Sequence, residues 1–386
     1  MKTLFEELNT VIPYYVFGHR MPSAEEVRRA ILSASNLFTF CEEERSFQYF
    51  ARKEVLKGYL LYFLPVSLNK IYFILKETLR HPALRPNQGN VNILDLGCGI
   101  TPSILAFLEL YREKEFPNVH LDYTGIDMDP NALKVARDLT QTLIPPERRV
   151  NYRFLKMDLR QESSFSELKN FHPHILIMAN SLGEIVSQGV PLVNLSKKLG
   201  ILILENNLTA VFIEPGTKKA SQRLHFLRDF FTQQYRITPY SPCPHHLPCP
   251  ALKNKNWCYE EWPWESPDYL HFLEPVGLQI RHLKLSYTVF TSGNYRLLET
   301  FPSHEGPVIK CTSHLIKEKS KSRLWGCMEG ELRDIEKLER DYTPKDPWLT
   351  IRKGAYFSAS SFIPLSGKYR LPKDASITVL YHPPCG

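Results

Sequence analysis

The stretch Ile93-Leu94-Asp95-Leu96-Gly97-Cys98-Gly99 carries the strongest structural signal in this sequence. A short apolar run, which predicts a buried strand, leads directly into two glycines separated by one residue. Glycines at the carboxyl end of a strand allow a tight turn and let a ligand approach the backbone closely. Because ligands of open α/β sheets bind at this edge, the stretch predicts a binding loop that follows a buried strand.

Further short apolar runs follow this first strand and alternate with helical patterns. This alternation predicts an α/β fold with a parallel sheet that is covered by helices on both faces. The additional predicted strands are 121–127, 151–158, 173–180 and 210–215. The run 200–208 is interpreted as the end of a helix rather than as a strand, because a helical pattern precedes it.

Acidic residues close two of these strands. The carboxylate of Asp127 ends the second strand, where it can accept hydrogen bonds from both ribose hydroxyls of a nucleoside, and Asp158 ends the third, near where an adenine amine would lie. The order of strand, glycine loop, strand with Asp and strand with Asp resembles the class I S-adenosylmethionine-dependent methyltransferases. The resemblance implies that Asp95, Gly97, Gly99, Asp127 and Asp158 bind S-adenosylmethionine.

One position departs from the methyltransferase pattern. Thr101 stands where a third glycine is usual. A β-branched side chain there predicts either crowding of the methionine part of the cofactor or a different path of the loop.

The end of the fourth predicted strand, Asn180 to Glu184, is the usual place for groups that position the methyl acceptor. Methyl transfer depends mainly on aligning the nucleophile with the methyl group. The stretch has neither the Pro-Pro-aromatic motif common in enzymes that methylate base amines nor the Pro-Cys pair of those that methylate cytosine carbon. Asn180 and Glu184 are therefore candidate positioning groups, a solvated strand end is an equally good interpretation, and the acceptor stays open.

A window rich in proline contains three cysteines, Cys243, Cys249 and Cys258, with the spacing C-x5-C-x8-C. Proline stiffens the backbone where thiolates must be aimed, so the window predicts a metal site. The fourth ligand is open among four candidates: Cys327, Cys311, His245 and His246. Zinc and iron–sulfur clusters both accept four thiolates, and the spacing alone does not choose between them.

The string PCPHHLPCPALKNKNWC, together with Glu214-Pro-Gly-Thr217, resembles the small-ribosomal-subunit methyltransferase-like family of bacterial and mitochondrial ribosome assembly proteins. The resemblance runs from about residue 94 to residue 354. It implies a [4Fe-4S] cluster on four cysteines, the fourth of which precedes a glycine and follows a basic segment. Cys327 fits that description and Cys311 ranks second. The resemblance also implies small-subunit ribosomal RNA as the partner.

The segment 310–323 is basic, with five Lys or Arg residues against Glu318. Such a run is usually a solvated face. Beside a metal-anchored loop with tryptophans, it predicts an RNA surface that combines phosphate contacts with stacking. The residues of this predicted surface are Lys310, Lys317, Lys319, Lys321, Arg323, Trp257, Trp262, Trp264 and Trp325.

Composition and charge set the broad class. With 43% hydrophobic residues, 23% charged residues and a net charge of +7, the 386-residue chain is predicted to be soluble and globular, with about two or three domains. The sequence MKTLFEELNT predicts neither a signal peptide nor a transit peptide, so a bacterial-type cytoplasmic protein is expected. The apolar run 56–75 is interrupted by Pro65 and Lys70, so no membrane segment is predicted. The protein is also expected to be a monomer.

Three domains are predicted. Residues 1–85 form an N-terminal helical region, in which Ser23 and Glu26 make a capping box. Residues 86–300 form the methyltransferase domain, with the cysteine-rich insertion at 239–270. Residues 301–386 form a small β-rich module that supplies the fourth metal ligand.

The sequence thus predicts a methyltransferase that binds or methylates small-subunit ribosomal RNA. Two alternatives stay open. One is a non-catalytic iron–sulfur assembly factor with a vestigial methyltransferase fold, and the other is a zinc-stabilised methyltransferase of small molecules.

Overall fold

The computed structural model describes residues 4–18, 20, 22–40, 49–85, 89–112, 119–144, 150–270, 281–293 and 295–383. The chain divides into two compact units, the first made of residues 1–213 and 263–283 and the second of residues 214–262 and 284–385. This division groups residues differently from the three segments 1–85, 86–300 and 301–386, which stay a prediction about domains.

The first unit begins with helices α1 (Leu4–Phe17), α2 (Ala24–Phe40), α3 (Lys53–Gly58) and α4 (Leu64–Thr78), with a π-helical turn (Tyr59–Phe63) between α3 and α4. The predicted capping box of α2 is confirmed. The backbone N–H of Ser23 donates to Glu26 at 2.9 Å, and that of Glu26 donates to the Ser23 hydroxyl at 3.3 Å. This reciprocal pair satisfies backbone donors that a helix N-terminus otherwise leaves unpaired.

Residues 53–78 form one helical stretch that is long and apolar enough to cross a bilayer by length and composition. Within its most apolar window, however, 78% of the residues are buried inside the protein. Pro65 follows the π-helical turn Tyr59–Phe63 by two residues, and the helical stretch continues through it. This burial favours a core helix of the first unit.

The parallel sheet of the first unit consists of β1 (Asn90–Leu96), β2 (His120–Asp127), β3 (Val150–Lys156), β4 (Ile175–Ala179) and β5 (Thr209–Pro215). Their spatial order is β3-β2-β1-β4-β5, and each neighbouring pair is parallel. Asp95 of β1 lies opposite Gly125 of β2 and Ile177 of β4. The carboxyl ends of β1, β2 and β4 therefore meet at one edge. All five strands predicted from the sequence are confirmed.

Helices connect these strands: α5 (Pro102–Arg112), α6 (Pro130–Leu143), α7 (Glu162–Leu168), α8 (Leu182–Ser187) and α9 (Leu192–Asn206). The helical interpretation of the run 200–208 is confirmed, because α9 continues to Asn206 before β5 begins at Thr209. Asn207 ends this helix in the left-handed conformation.

The second unit contains α10 (Lys218–Tyr235), β6 (Thr238–Ser241), α11 (Pro250–Lys253), β7 (Glu260–Pro263) and β8 (His282–Thr291). β8 pairs with β6 and with β7. The strand β8 runs without a break over ten residues, because no Gly or Pro interrupts the chain between His282 and Thr291.

A second sheet lies in the C-terminal part of this unit and confirms the predicted β-rich module. Its strands are β9 (Val308–Cys311), β10 (Ile316–Glu318), β11 (Lys321–Met328), β12 (Glu331–Leu338), β13 (Tyr356–Ala359), β14 (Ile363–Leu365), β15 (Lys368–Leu371) and β16 (Ile377–Tyr381). The order is β14-β15-β12-β11-β9-β13-β16, and β10 pairs with β11. Trp348, Phe357 and Leu324 are fully buried in its core.

Candidate functional site

The loop after β1 is bent by residues of positive φ. Gly97 has φ +75°, Gly99 has φ +52°, and Thr101 has φ +64°. The N–H groups of Gly97 and Cys98 both donate to the carbonyl of Ile126, at 2.8 and 2.9 Å, and so hold the loop against the end of β2. Both predicted glycines, Gly97 and Gly99, have the left-handed backbone conformation that other residues adopt only at a cost in energy.

Asp127 is brought directly onto this loop. One carboxylate oxygen accepts from the N–H of Gly99 at 2.9 Å, and the other accepts from the N–H of Asp129 at 2.9 Å. Burial raises the pKa of Asp127, while these two N–H donors act in the opposite direction. An ionised carboxylate offers about four acceptor sites, so this arrangement leaves lone pairs for a ligand.

Asp95 is placed differently from Asp127, because its side chain is only 2% exposed and lies inside the first unit. One carboxylate oxygen accepts from the hydroxyls of Ser103 and Tyr123, the latter at 2.7 Å. Burial raises the pKa of Asp95 to about 6. In this arrangement Asp95 shapes the loop from beneath rather than presenting its carboxylate to solvent.

Thr101 belongs to the same buried network. Its side chain is fully buried, and its hydroxyl donates to the Tyr123 hydroxyl at 2.8 Å. Of the two consequences predicted for Thr101, the structure therefore favours a different path of the loop over crowding of the cofactor. The loop passes through this β-branched residue at positive φ. A fixed hydroxyl partner offsets the backbone strain.

Asp158 lies two residues beyond the end of β3, and its carboxylate is engaged by Arg160. The guanidinium Nε and Nη2 of Arg160 donate to its two oxygens at 2.8 and 2.7 Å. This pairing lowers the pKa of Asp158. The N–H of Met157 donates to the carbonyl of Asp127 at 3.0 Å, so the residue before Asp158 lies beside Asp127.

The end of β4 is also strained. Asn180 has φ +60°, and its N–H donates to the carbonyl of Ile213 at 2.7 Å. The next residue, Ser181, donates its hydroxyl to the carbonyl of Leu96 at 2.8 Å, which ties the end of β4 to the end of β1. Glu184 follows in α8 and is partly buried.

Tyr59, which the sequence did not single out, is electrostatically coupled to the acidic residues at this edge of the sheet. Its pKa is raised by burial and by the nearby charges of Glu184, Asp127 and Asp95. Tyr59 begins the π-helical turn, and such turns occur often at functional sites. Aromatic residues in an apolar helix gave no local signal, because only the packing of the N-terminal helices brings this hydroxyl toward the carboxylates.

The second unit brings the four predicted cysteine ligands to one cavity of about 50 Å³. Cys243, Cys249, Cys258 and Cys327 all line it, together with His245. The Nε2 atom of His245 lies 3.3 Å from the sulfur of Cys327.

The other two candidates for the fourth ligand lie elsewhere. Cys311 is fully buried in the apolar core of the C-terminal sheet, and its thiol donates to the carbonyl of Ser313. His246 is exposed. The register of β9 and β11 explains why Cys327 and not Cys311 lines the cavity. Lys310 lies opposite Cys327, so the side chain of the next residue, Cys311, points to the other face of the sheet.

Burial controls the state of these thiols. It raises the pKa of Cys249 to about 11 and raises those of Cys258 and Cys327 further. Thiolate ligands must lose their protons on metal binding, so a metal here would release protons. Within the described ranges, no group of three or more His, Cys, Asp or Glu side chains is arranged to hold a metal ion.

Charged side chains surround this cavity. Arg228 and Lys310 line it and are only 2% and 3% exposed. Lys310 pairs with the buried carboxylate of Glu260 at 2.9 Å. Buried charges require close partners of opposite charge, and in the wall of this cavity Glu260 is that partner for Lys310.

The predicted RNA surface is corrected in part. Trp262 of β7 and Trp264, just after that strand, are buried at 1% and 5% exposure, so they offer no stacking surface. Lys310 is likewise buried in its ion pair. Trp257 and Trp325 are exposed, at 38% and 40%.

The remaining basic residues of 310–323 differ in how they are held. Arg323 donates to Glu318 at 2.6 Å, and Lys321 is paired with Glu318 and Glu336. Lys317 and Lys319 are exposed. The segment is therefore largely a solvated, ion-paired face of the sheet rather than a row of unpaired cations.

The fold and the first site together define a class. A parallel sheet of order β3-β2-β1-β4-β5, with a glycine loop after β1 and a carboxylate at the end of β2, is the class I methyltransferase fold. The family model described as mitochondrial small ribosomal subunit Rsm22 matches residues 53–262. The match spans more than half of the chain, and this chain belongs to that family.

Solved methyltransferases are distantly similar to this chain. Magnesium protoporphyrin IX methyltransferase from Synechocystis PCC 6803, solved with bound SAM, is 9% identical with a TM-score of 0.34, covering 69% of this chain and 97% of that one. Precorrin-6y C5,15-methyltransferase from Geobacter metallireducens is 12% identical with a TM-score of 0.33, covering 57% and 87%. No curated protein sequence matches this chain significantly.

The description of the family names a mitochondrial ribosomal subunit. The bacterial-type cytoplasmic location expected from the N-terminal sequence therefore stays a prediction.

Proposed function

We propose that this protein is an S-adenosylmethionine-dependent methyltransferase of the small ribosomal subunit, which binds or methylates its RNA. The main observation behind the proposal is the hydrogen bond that the N–H of Gly99 donates to the carboxylate of Asp127. That contact puts an acceptor for ribose hydroxyls at the mouth of a glycine loop. The association with the small subunit is supported by membership of the Rsm22 family.

The loop leaves open space at Gly99, the glycine whose N–H donates to Asp127. A Cβ built on Gly99 meets no atom of the described residues within 4 Å, so the backbone is open to close approach by a ligand. Asp127 would hold the ribose, and Gly97 and Gly99 would shape the loop around the cofactor. Asp95 would support the loop from inside, and Asp158 would lie toward the adenine, where its pairing with Arg160 limits its free lone pairs.

Bound S-adenosylmethionine supplies an activated methyl group. The residues of the chain would align an acceptor with it, which is the main requirement of such a transfer. Asn180 and Glu184 are the proposed positioning groups.

We also propose that Cys243, Cys249, Cys258 and Cys327 hold an iron–sulfur cluster of the [4Fe-4S] type. All four line one cavity of about 50 Å³, which is larger than the roughly 10–15 Å³ that a single water needs on the same measure. Such a cluster would tie the proline-rich loop to β11.

RNA binding is proposed for a surface that we call the Trp257 face, which consists of Lys218, Lys253, Lys255 and Trp257. All four side chains are exposed, and the ammonium of Lys218 lies 5.7 Å from the centre of the Trp257 ring. Gln222 donates to the carbonyls of Lys255 and Asn256, both at 3.3 Å, and so steadies the loop. Exposed aromatic rings among cations suit stacking on unpaired bases with contacts to phosphate.

Calorimetry with S-adenosylmethionine tests the cofactor site. The wild type is expected to bind, and Asp127→Ala is expected to abolish binding. Asp122→Ala is a matched control, since Asp122 lies on the same strand at the amino end. Equal binding by Asp127→Ala and the wild type would contradict the assignment. Absence of binding by the wild type would favour the non-catalytic assembly factor, an alternative also supported by the lack of a recognised acceptor motif at 180–184.

Anaerobic purification with iron, sulfide and zinc analysis tests the cluster. Cys327→Ser is expected to lose iron, whereas Cys311→Ser, which removes a core thiol, is expected to keep it. Stoichiometric zinc without iron in the wild type would overturn the cluster and favour the zinc-stabilised alternative.

A further inference from the structure

Arg228 of α10 is a buried cation in the wall of the cavity that the four cysteines line. Its side chain is 3% exposed and lines the cavity with all four cysteines. Its charge interacts with those of Cys243, Cys249 and Cys327. A guanidinium stays protonated under any condition in which a protein is folded, so this is a permanent positive charge.

The guanidinium is fixed in place by the cysteine loop itself. It donates to the carbonyls of His245 and Leu247, and it pairs with the carboxylate of Asp229 at 2.5 Å. Both oxygens of Asp229 in turn accept from the N–H of Cys249 at 3.0 Å. Arg228 therefore cannot swing away from the cavity without breaking these contacts.

One donor of Arg228 is unused. Its Nε–H is buried and has no hydrogen-bond partner among the described residues. A buried donor without a partner costs about 1–3 kcal/mol, so such groups are rare in native proteins unless a ligand completes them. An anionic sulfur in the cavity would be a suitable acceptor for this donor.

We propose that Arg228 tunes the reduction potential of the proposed cluster, by donating its free N–H toward a cluster or cysteine sulfur and by placing a positive charge beside it. The inference rests on the proposed cluster. Net charge and hydrogen bonds to the sulfurs set the potential of such centres. One-electron reduction adds a negative charge, and the guanidinium stabilises that charge. Arg228 thus raises the potential above the value that the thiolates alone would give.

The test is a redox titration of the anaerobically purified full-length protein, followed by the electron paramagnetic resonance signal of the reduced cluster. Arg228→Gln is expected to lower the midpoint potential by at least 59 mV, which corresponds to a tenfold change for a one-electron couple. Arg228→Lys, which keeps the charge, is expected to shift it less. The control is Arg223→Gln, on the same helix and buried but away from the cavity lining, which is expected to leave the potential unchanged.

A second variant, for which the opposite shift of the midpoint potential is expected, keeps the test decisive if Arg228→Gln does not fold. Asp229→Asn removes the negative partner of Arg228, keeps an oxygen for the N–H of Cys249, and is expected to raise the potential. A merely structural role would lower the iron content of the variants without moving the potential of the remaining cluster. A cluster of unchanged potential in Arg228→Gln, or a lowered potential in Asp229→Asn, would overturn the inference and leave the cluster standing. A wild type without any iron–sulfur signal would overturn both.

Discussion

Ser181 occupies the space that a side chain on Gly97 would need. A Cβ built on Gly97 would lie 2.4 Å from the Cβ of Ser181, whereas one built on Gly99 would meet no described atom within 4 Å. Both glycines have positive φ, so the two positions differ in steric surroundings and not in backbone conformation. This difference separates a glycine that packing requires, Gly97, from one whose surroundings are open, Gly99.

Gly97→Ala is therefore expected to destabilise the fold more than Gly99→Ala. Both lose about 1–2 kcal/mol from the left-handed backbone, and Gly97→Ala adds about 1–3 kcal/mol of overpacking against Ser181. Urea unfolding measures the difference. Gly99→Ala is expected to keep most of the stability and to weaken S-adenosylmethionine binding at least tenfold. Equal stability of the two variants would contradict the steric explanation.

Glu336 predicts a loss of stability in acid. Its carboxylate is fully buried and binds Lys321, Lys368 and Arg370. Burial alone would raise its pKa, but these donors outweigh burial and lower the pKa to about 2. The stabilisation is therefore complete above about pH 4.5 and disappears as the pH falls toward 2.

Glu336→Gln is expected to remove about 2 kcal/mol at pH 7, since its partners are about one-third exposed and partly screened. The difference in unfolding free energy from the wild type should shrink between pH 4.5 and pH 2. Glu318→Gln, on the exposed strand β10, is the control and should cost less. A difference that does not change with pH would show that Glu336 is not ionised in the fold.

Asp95 predicts the opposite dependence on pH. Burial raises its pKa to about 6, above the value of about 3.9 in an unfolded chain. The folded state then binds more protons than the unfolded state between pH 4 and pH 6, so stability falls as the pH rises through this window. Asp95→Asn should remove this fall, which amounts to about 2 kcal/mol, and chemical unfolding of both proteins at pH 4 and pH 7 measures it. A fall of equal size in the variant would assign it to another group.

The Trp257 face predicts a loss of RNA affinity without a loss of stability. Trp257→Ala is expected to weaken binding of a single-stranded RNA oligonucleotide by about 1–3 kcal/mol, because stacking on an exposed ring is removed. Leu349→Ala, at another exposed apolar residue, is the control. Unchanged affinity of Trp257→Ala, measured by fluorescence anisotropy at fixed salt, would exclude this face from RNA binding.

Local patterns predicted much of the fold and of the two sites. The five parallel strands follow from apolar runs that alternate with helical periodicity, and the loop of Gly97 and Gly99 follows from its place after a strand. The convergence of Cys327 with the proline-rich loop was expected only from family resemblance, because 68 residues lie between it and Cys258. The structure brings it to the cavity through the register of β9 and β11.

The sequence by itself determined the class of fold, the order of its strands along the chain and the residue types of both sites, because these depend on short-range periodicity and on the backbone freedom of glycine. Only the tertiary structure decided which of these side chains are exposed and what each of them contacts. Trp262 and Trp264 match Trp257 in residue type but are buried, Asp95 supports the loop while Asp127 lines it, and Arg228 is aimed by carbonyls far along the chain. Exposure and hydrogen-bond partners arise from packing between distant segments, and no local pattern encodes them.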